Sequence, residues 1–194
     1  MRLLSIDPGV VNLGWAVVQG CRESMRVVAY GCENTTRACT VRGCRLPRTR
    51  ELWDRLEHTY AHVLAPHAAA ADRILLERQP PGGLGEVVSF FYSKHKDKVV
   101  RIHPRSMHAH FRIGHHDYDG RKACTERLAS QWIPELLDPR APTARRVHDV
   151  ADAVAMAQFY FATTLPPQRA PVGADDWLGR FAYKPPPPNT ANET

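Results

Sequence analysis

Short apolar runs, some alternating with polar residues and some continuous, predict five β-strands in the first half of the chain. The predicted strands cover residues 2–7, 13–19, 25–32, 73–77 and 99–102. The first three follow one another through short turns, which predicts an antiparallel meander. In the run at 73–77 the three central residues, 74–76, are all apolar, as expected of a strand that is buried on both faces.

Apolar residues at three- and four-residue spacing predict helices between and after these strands. The predicted helices cover 52–64, 86–96, 119–132 and 147–164. Pro66 is expected to end the first of these helices, and Asp119 is expected to cap the third. The order of the elements is three strands, helix, strand, helix, strand and helices. This order predicts an α/β fold in which a mixed five-stranded sheet is flanked by helices.

The 194 residues are enough for one sizeable hydrophobic core. We therefore expect one domain over 1–165. After Leu165 the composition shifts to proline, with four consecutive prolines at 185–188. Residues 166–194 are thus predicted to be a proline-rich extension that is partly disordered.

The chain is basic, with 26 Lys and Arg against 20 Asp and Glu, a net charge of +6. This balance favours polyanionic partners such as nucleic acid, although basic proteins with other partners exist. The basic residues that we expect to contact DNA phosphates follow the predicted strand at 73–77 or flank the last helix: Lys94, Lys96, Lys98, Arg101, Arg121, Arg145 and Arg146.

Five cysteines without a CxxC pair argue against a secreted disulfide framework and for a reducing compartment. Free thiols are the favoured interpretation. Four of the five fall within 21–44, so a structural zinc site is the alternative, but the cysteine spacings match no standard knuckle. The N-terminal run carries charges unsuited to a signal peptide, and no stretch approaches about 20 apolar residues. We expect a soluble, intracellular protein without a membrane segment.

Four acidic residues occupy positions from which they can meet. Asp7 and Glu77 each end a predicted strand, where open α/β sheets place their sites. Asp149 and Asp152 are three positions apart on the last helix and therefore project from nearly the same face. Converging carboxylates repel one another unless they bind divalent metal, and all-oxygen ligands suit Mg²⁺. The pattern predicts a magnesium site for phosphodiester hydrolysis.

Each acid also has an ordinary explanation. Asp7 precedes Pro-Gly and fits a turn residue, Glu77 fits an ion pair with a nearby arginine, and acids at a helix start are favoured by the helix dipole. Asp152, however, lies among alanines and valine, where a solvated face would be more polar. The four acids together favour a site.

Three segments resemble the acidic motifs of RuvC-type Holliday junction resolvases. They are IDPGVVNLGWAV near the start, ILLERQ in the middle and HDVADAVAMA near the end, in the family's order. The resemblance spans residues 3–163. The segments ERQP and HPRSM are most similar to the branch found in large DNA viruses such as poxviruses and iridoviruses.

The resemblance implies an RNase H-like fold and a homodimer that binds four-way DNA junctions and makes paired, Mg²⁺-dependent nicks, with Mn²⁺ as a substitute metal. Asp7, Glu77, Asp149 and Asp152 are then the metal ligands. A basic residue near the scissile phosphate is also implied. Lys122 is our choice for stabilising charge in the transition state, and Arg121 is its competitor.

Several other features are less specific. His148 is expected to make a local hydrogen bond rather than touch a metal, and the histidines at 103, 108, 110, 115 and 116 are expected to line a polar loop. The aromatic run Phe90, Phe91 and Tyr92 is expected to pack in a dimer interface. The Cys- and Arg-rich segment 31–50 has no counterpart in the resemblance.

Two other classes of function are compatible with parts of the sequence. Asp7-Pro8-Gly9 between two strands fits the phosphate loop of actin-like ATPases and sugar kinases loosely, but those proteins need a second lobe. A non-catalytic nucleic-acid-binding protein with the same fold is the third reading. A nuclease requires the four carboxylates to lie together, whereas a kinase requires an open cleft between lobes.

Overall fold

One mixed sheet forms the centre of the computed structural model, which describes residues 1–37, 39–46, 49, 51–79, 84–137 and 146–165. Its strand order is β3-β2-β1-β4-β5. β1, β2 and β3 are antiparallel neighbours, while β4 is parallel to both β1 and β5. The strands are β1 Arg2–Asp7, β2 Asn12–Gly20, β3 Met25–Asn34, β4 Arg73–Glu77 and β5 Val99–Ile102. The predicted five strands and their mixed arrangement are confirmed.

Helices cover both faces of this sheet. They are α1 Leu52–Thr59, a π-helical turn Tyr60–Leu64, α2 Ala65–Ala70, α3 Gly85–His95, α4 Pro104–His110, α5 Tyr118–Ser130, a 3₁₀ turn Pro134–Leu137 and α6 Val147–Thr164. Buried residues of α1, α2 and α3 form one core with one face of the sheet, and those of α4, α5 and α6 form a second core with the other face. The domain therefore has three layers, helix on sheet on helix.

The alternation of side chains along each strand decides which helical layer is faced by Asp7 and Glu77, the last residues of β1 and β4. Leu4 and Ile6 of β1 pack in the core with α1, α2 and α3, whereas Leu3 packs in the core with α6. β4 repeats the pattern, with Leu75 on the α6 side. Because successive side chains point to opposite faces, Asp7 and Glu77 share the register of the α6 side.

The predicted end of the first helix at Pro66 is wrong, since helical structure continues to Ala70. The π turn shifts the hydrogen-bond register, so that the Ala65 amide bonds to the Tyr60 carbonyl. Pro66 then lies in the first turn of α2, where a missing N–H is tolerated.

The helix around residue 120 is confirmed, but its predicted cap is two residues too late. The side chain of Asp117, not Asp119, accepts a hydrogen bond from the Gly120 amide at 2.8 Å. Helix α4 was not predicted, because its histidine-rich sequence was interpreted as a polar loop. His103 caps this helix, its Nδ1 accepting from the Arg105 amide at 3.2 Å.

The prediction that the aromatic run on α3 packs in a dimer interface is wrong for two of its three residues. Phe90 and Phe91 are fully buried in the chain's own core, where they contact each other and Tyr60 edge to face. Only Tyr92 is exposed, at 55%. The two phenylalanines therefore stabilise the packing of α3 on α1.

Some predictions fall on residues outside the described ranges. These are the proline-rich extension 166–194 and the proposed DNA contact Arg145. Within the described ranges, no helix has both the length and the apolar character that crossing a membrane requires.

Candidate active site

Helix α6 begins directly against strand β2 because Gly14 has no side chain. Gly14 is the register partner of Asp7 on β1. A Cβ added at Gly14 would lie 2.8 Å from Asp149 Cβ and closer still to the Asp149 carbonyl group. The glycine thus allows the backbone of Asp149 to approach β2 at the position that pairs with Asp7 of β1.

Asp7, Glu77, Asp149 and Asp152, hereafter the carboxylate cluster, lie within electrostatic reach of one another. Burial raises the pKa of Asp7 well above its usual range, and repulsion from Asp152, Glu77 and Asp149 raises it further. Burial and repulsion from Asp152 raise the pKa of Glu77 to about 7. Three elements of the core therefore bring the four predicted acids together.

Asp152 lies beside helix α5. Burial raises its pKa to about 6, while the neighbouring Thr125 side chain opposes the rise and Asp149 adds to it. Thr125 is itself buried on α5, where its hydroxyl donates to the Lys122 carbonyl at 3.0 Å. The packing of α5 against α6 therefore places a buried hydroxyl next to one carboxylate of the cluster.

Asp149 is surrounded by donors from three directions. Its carboxylate lies 3.1 Å from His148 Nε2 and 3.7 Å from Arg146 Nε, and it accepts from Cys32 Sγ at 3.5 Å. Burial and the Asp149 charge raise the pKa of Cys32 to about 12, so the thiol keeps its proton. The predicted local role of His148 agrees with this geometry, although its partner is a carboxylate of the cluster.

Lys122, and not Arg121, is the lysine or arginine of α5 whose charge acts on Asp7 and Asp152. The Lys122 charge lowers the pKa of both Asp7 and Asp152, which places it within reach of the cluster. Its Nζ also lies 4.2 Å above the ring of Tyr118, one turn earlier on α5. Arg121 instead donates from Nη1 to the His116 carbonyl at 2.6 Å.

The donor set of the carboxylate cluster fits a hard divalent cation. All four predicted ligands offer carboxylate oxygens, and their burial makes the charges repel strongly. Two nearby cations, Lys122 and Arg146, are fewer than the four carboxylates, so part of this charge stays uncompensated. Oxygen ligands of this kind suit Mg²⁺ or Mn²⁺ rather than zinc or copper.

A basic cleft of about 800 Å³ opens beside the carboxylate cluster, at the carboxyl ends of β4 and β5. Gln79, which lines it, donates to Glu77 Oε1 at 3.2 Å and so connects the cleft to the cluster. The cationic and imidazole residues lining it are Arg78, His103, Arg105, His108 and Arg121. Arg78 and Arg105 were not among the predicted DNA contacts, although each lies in a segment that carried the resemblance.

The lysines predicted to contact DNA lie elsewhere. Lys98 donates from Nζ to the carbonyls of Ala68 and Ala69 at the end of α2, and its own carbonyl accepts from Ile74 at the start of β4. Lys94 forms an ion pair with Glu57 at 2.9 Å. Both therefore lie toward the amino end of β4, whereas Glu77 is at its carboxyl end.

The remaining residues predicted to contact DNA are divided between the edge of the sheet at β5 and the carboxylate cluster. Lys96 lies exposed in the turn that precedes β5 and Arg101 lies exposed on that edge strand. Arg146, in contrast, is directly beside Asp149. Among the predicted basic residues that the structure describes, Arg121, Lys122 and Arg146 lie nearest the carboxylates or their cleft.

Comparison with models of known protein families finds no match. A search of curated sequences finds the crossover junction endodeoxyribonuclease RuvC of Thermomicrobium roseum, 27% identical over 161 residues, which cover 83% of this chain and 93% of the relative. The sequence resemblance to RuvC-type resolvases is thus supported by a relative that aligns over nearly its full length.

Solved structures with the same fold include three resolvases. The fowlpox virus resolvase in complex with Holliday junction DNA has a TM-score of 0.59 at 17% identity, covering 86% of this chain and all of the viral one. The yeast mitochondrial resolvase also has a TM-score of 0.59, at 14% identity and 83% and 79% coverage. RuvC of T. thermophilus, solved with a Holliday junction substrate, has a TM-score of 0.53 at 17% identity and 82% and 94% coverage. The predicted RNase H-like fold is confirmed.

Proposed function

We propose that this protein is a RuvC-type endonuclease that resolves four-way DNA junctions by metal-dependent hydrolysis of phosphodiester bonds. The observation that carries the proposal is the convergence of Asp7, Glu77, Asp149 and Asp152 from two parallel strands and one helix. The curated relative is a crossover junction endonuclease, and two of the structural neighbours contain junction DNA. These names support junction DNA as the substrate of this chain.

We propose Mg²⁺ as the metal, with Mn²⁺ able to replace it, and the carboxylate cluster as its ligands. When bound there, divalent ions supply an activated water and neutralise the charge that develops on the leaving oxygen. The fold restricts the movement of these ligands, since the Asp149 backbone packs against Gly14 and Asp152 is buried beside α5. Such preorganisation avoids rearrangement during the reaction.

Lys122 has the position expected of a residue that stabilises transition-state charge. Its charge lowers the pKa of Asp7 and Asp152, so a phosphate seated over the carboxylates would also lie within its electrostatic reach. The basic cleft lined by Arg78, Arg105 and Arg121 then provides a path for the DNA backbone leading away from the carboxylates.

We further propose that two copies of the chain act together, because paired nicks across a branch point require two active sites. Trp53 of α1 and Tyr92 of α3 are exposed at 43% and 55%, on two helices that pack against each other. The two exposed aromatic side chains make this face our candidate for the contact between the copies.

Within the resolvases, we place the chain in the branch of large DNA viruses. The support is the pair of segments ERQP and HPRSM. Fold comparison does not separate the branches, since the fowlpox and yeast enzymes have equal TM-scores.

The test is nicking of a labelled four-way junction beside a linear duplex of matched sequence, with Mg²⁺ or with EDTA, for wild type and Asp149→Asn. We expect paired nicks in the junction that need Mg²⁺ and are lost in the variant, while junction binding is retained. Binding without cleavage in Mg²⁺ and in Mn²⁺ would identify a non-catalytic junction-binding protein instead. Equal cutting of the linear duplex would contradict junction selectivity.

A further inference from the structure

Two cysteines and two histidines outside the carboxylate cluster converge in the segment that has no counterpart in the resemblance. Cys39 and Cys44 lie in the loop after β3, His58 lies in the last turn of α1, and His62 lies in the π turn. One ligand atom from each of the four lies within 4.8 Å of all the others. We call these residues the thiol-imidazole cluster.

The separations within this cluster are those of metal ligands. Cys44 Sγ lies 3.5 Å from His58 Nδ1 and 3.2 Å from His62 Nε2. In a tetrahedral site with Zn–S of about 2.3 Å and Zn–N of about 2.0 Å, sulfur and nitrogen ligands are about 3.5 Å apart. The expectation that the cysteine spacings match no standard knuckle is wrong for Cys39 and Cys44. Their spacing, Cys-x4-Cys, and the His-x3-His spacing that follows it lie within the usual ranges for structural zinc.

Hydrogen bonding alone explains this arrangement poorly. A thiol carries one proton, so the Cys44 Sγ–H can donate to only one of the two imidazoles that it contacts, and the other ring has to donate its N–H to sulfur, which is a weak acceptor. A metal ion between the four groups would satisfy both thiolates and both rings at once. Two sulfur and two nitrogen ligands in a tetrahedral set favour Zn²⁺ over Mg²⁺ or Ca²⁺.

The backbone around the cluster is also shaped to present these ligands. Gly43 has a φ of +77° with open space around it, and the Cys44 amide donates to the Val41 carbonyl at 3.2 Å. This turn directs Cys44 back toward α1. The π turn that carries His62 interrupts the helix at the same place, and such turns occur often at functional sites.

We propose that Cys39, Cys44, His58 and His62 bind one structural Zn²⁺ ion, which fastens the loop after β3 to α1. The same loop forms part of a cleft whose other lining residues include Asn12, Cys32 and Arg146, and the last two contact Asp149. The ion therefore orders a wall that borders the carboxylate cluster. The zinc proposal does not depend on the nuclease function.

The first experiment measures metal in the purified full-length protein by mass spectrometry, without added zinc. We expect about one zinc per chain in wild type and in the control Cys124→Ser, and a loss of most of it in Cys44→Ser. Cys124 is a half-buried cysteine on α5, outside the cluster. Because Cys44→Ser could lose zinc by misfolding, wild type is also loaded with Co²⁺, whose tetrahedral thiolate complex has characteristic visible absorption.

A second readout is independent of any variant. Arg42 and Arg45 are exposed in the loop and are sites for trypsin. We expect 1,10-phenanthroline to accelerate cleavage after these arginines at least several-fold, and added Zn²⁺, but not Mg²⁺, to restore protection. The proposal would be overturned if wild type purified without zinc and then showed no cobalt–thiolate absorption on loading with Co²⁺. It would also be overturned if the loop were equally protected from trypsin without zinc. Neither readout uses DNA cleavage, so its outcome is separate from that of the junction assay.

Discussion

The carboxylate cluster and the thiol-imidazole cluster are brought together by different parts of the fold. The first is built on strand ends and a helix that the core holds in place, and its oxygen ligands suit a hard cation. The second joins a loop to a helix end, and its sulfur and nitrogen ligands suit zinc. The core exists without metal in the first case, whereas in the second the metal is expected to create the local order.

The largest expected effect comes from a substitution that should change the carboxylate cluster and leave the thiol-imidazole cluster intact. Glu77→Gln keeps the shape of the side chain but removes one charge from the carboxylate cluster, so we expect junction cleavage to fall by about 1,000-fold or more. Zinc content should not change. The control is Glu86→Gln, an exposed acid in the first turn of α3.

If Glu77→Gln cleaved at the wild-type rate, Glu77 would not be a ligand. If it lost zinc as well as activity, the two clusters would not be independent, and the contrast between them would fail.

A second prediction tests whether the carboxylate cluster depends on rigid placement. Gly14→Ala puts a methyl group into the backbone of Asp149, so we expect a stability loss of about 2 to 4 kcal/mol and a fall in cleavage of at least 10-fold. Urea unfolding and the junction assay measure the two effects. Gly85→Ala at the start of α3, where an added methyl meets nothing within 4 Å, should be nearly neutral.

Equal behaviour of the two alanine variants would mean that α6 can move away from β2 without cost. The tight approach of Asp149 to the sheet would then have no part in organising the ligands.

The smallest effect is the pH dependence of the metal-free carboxylate cluster. Because the folded-state pKa values of Asp7, Glu77 and Asp152 are raised, the native state holds more protons than the unfolded state between about pH 4 and pH 7. Their contribution to stability is therefore lost as pH rises through that window. We expect Asp7→Asn to be more stable than wild type at pH 7.5 without metal, by about 1 to 3 kcal/mol.

The measurement is urea unfolding of both proteins at pH 5 and pH 7.5, with and without Mg²⁺. The advantage of Asp7→Asn should shrink at pH 5 and reverse in saturating Mg²⁺, which binds wild type better. An Asp7→Asn variant less stable than wild type at pH 7.5 without metal would show that the carboxylates do not repel one another as described.

The contrast between the two clusters also explains which features of the molecule could be predicted from the sequence. The carboxylate cluster follows from regular periodicity, since Asp7 and Glu77 end strands and Asp149 and Asp152 are one helical turn apart. All five strands and α6 follow for the same reason. The position of Gly14 under Asp149 could not be predicted in this way, because it depends on how closely β2 and α6 pack.

A zinc site among the cysteines of 21–44 was predicted only as the alternative to free thiols, because cysteine spacings alone do not reveal the two histidine ligands. Its remaining ligands, His58 and His62, lie on the following helix, and the π turn that carries His62 has no simple sequence signal. The basic cleft was missed for a similar reason. Arg78 and Arg105 come together only when β4 and β5 pair and α4 forms.

The most direct test of the central claim is a titration of Mn²⁺ into zinc-loaded protein, with free Mn²⁺ followed by electron paramagnetic resonance. We expect wild type to bind about two Mn²⁺ ions that Mg²⁺ displaces, and Glu77→Gln to bind them at least 10-fold more weakly. Cys124→Ser should match wild type. Identical Mn²⁺ binding by wild type and Glu77→Gln would contradict the assignment of the carboxylate cluster as the catalytic metal site.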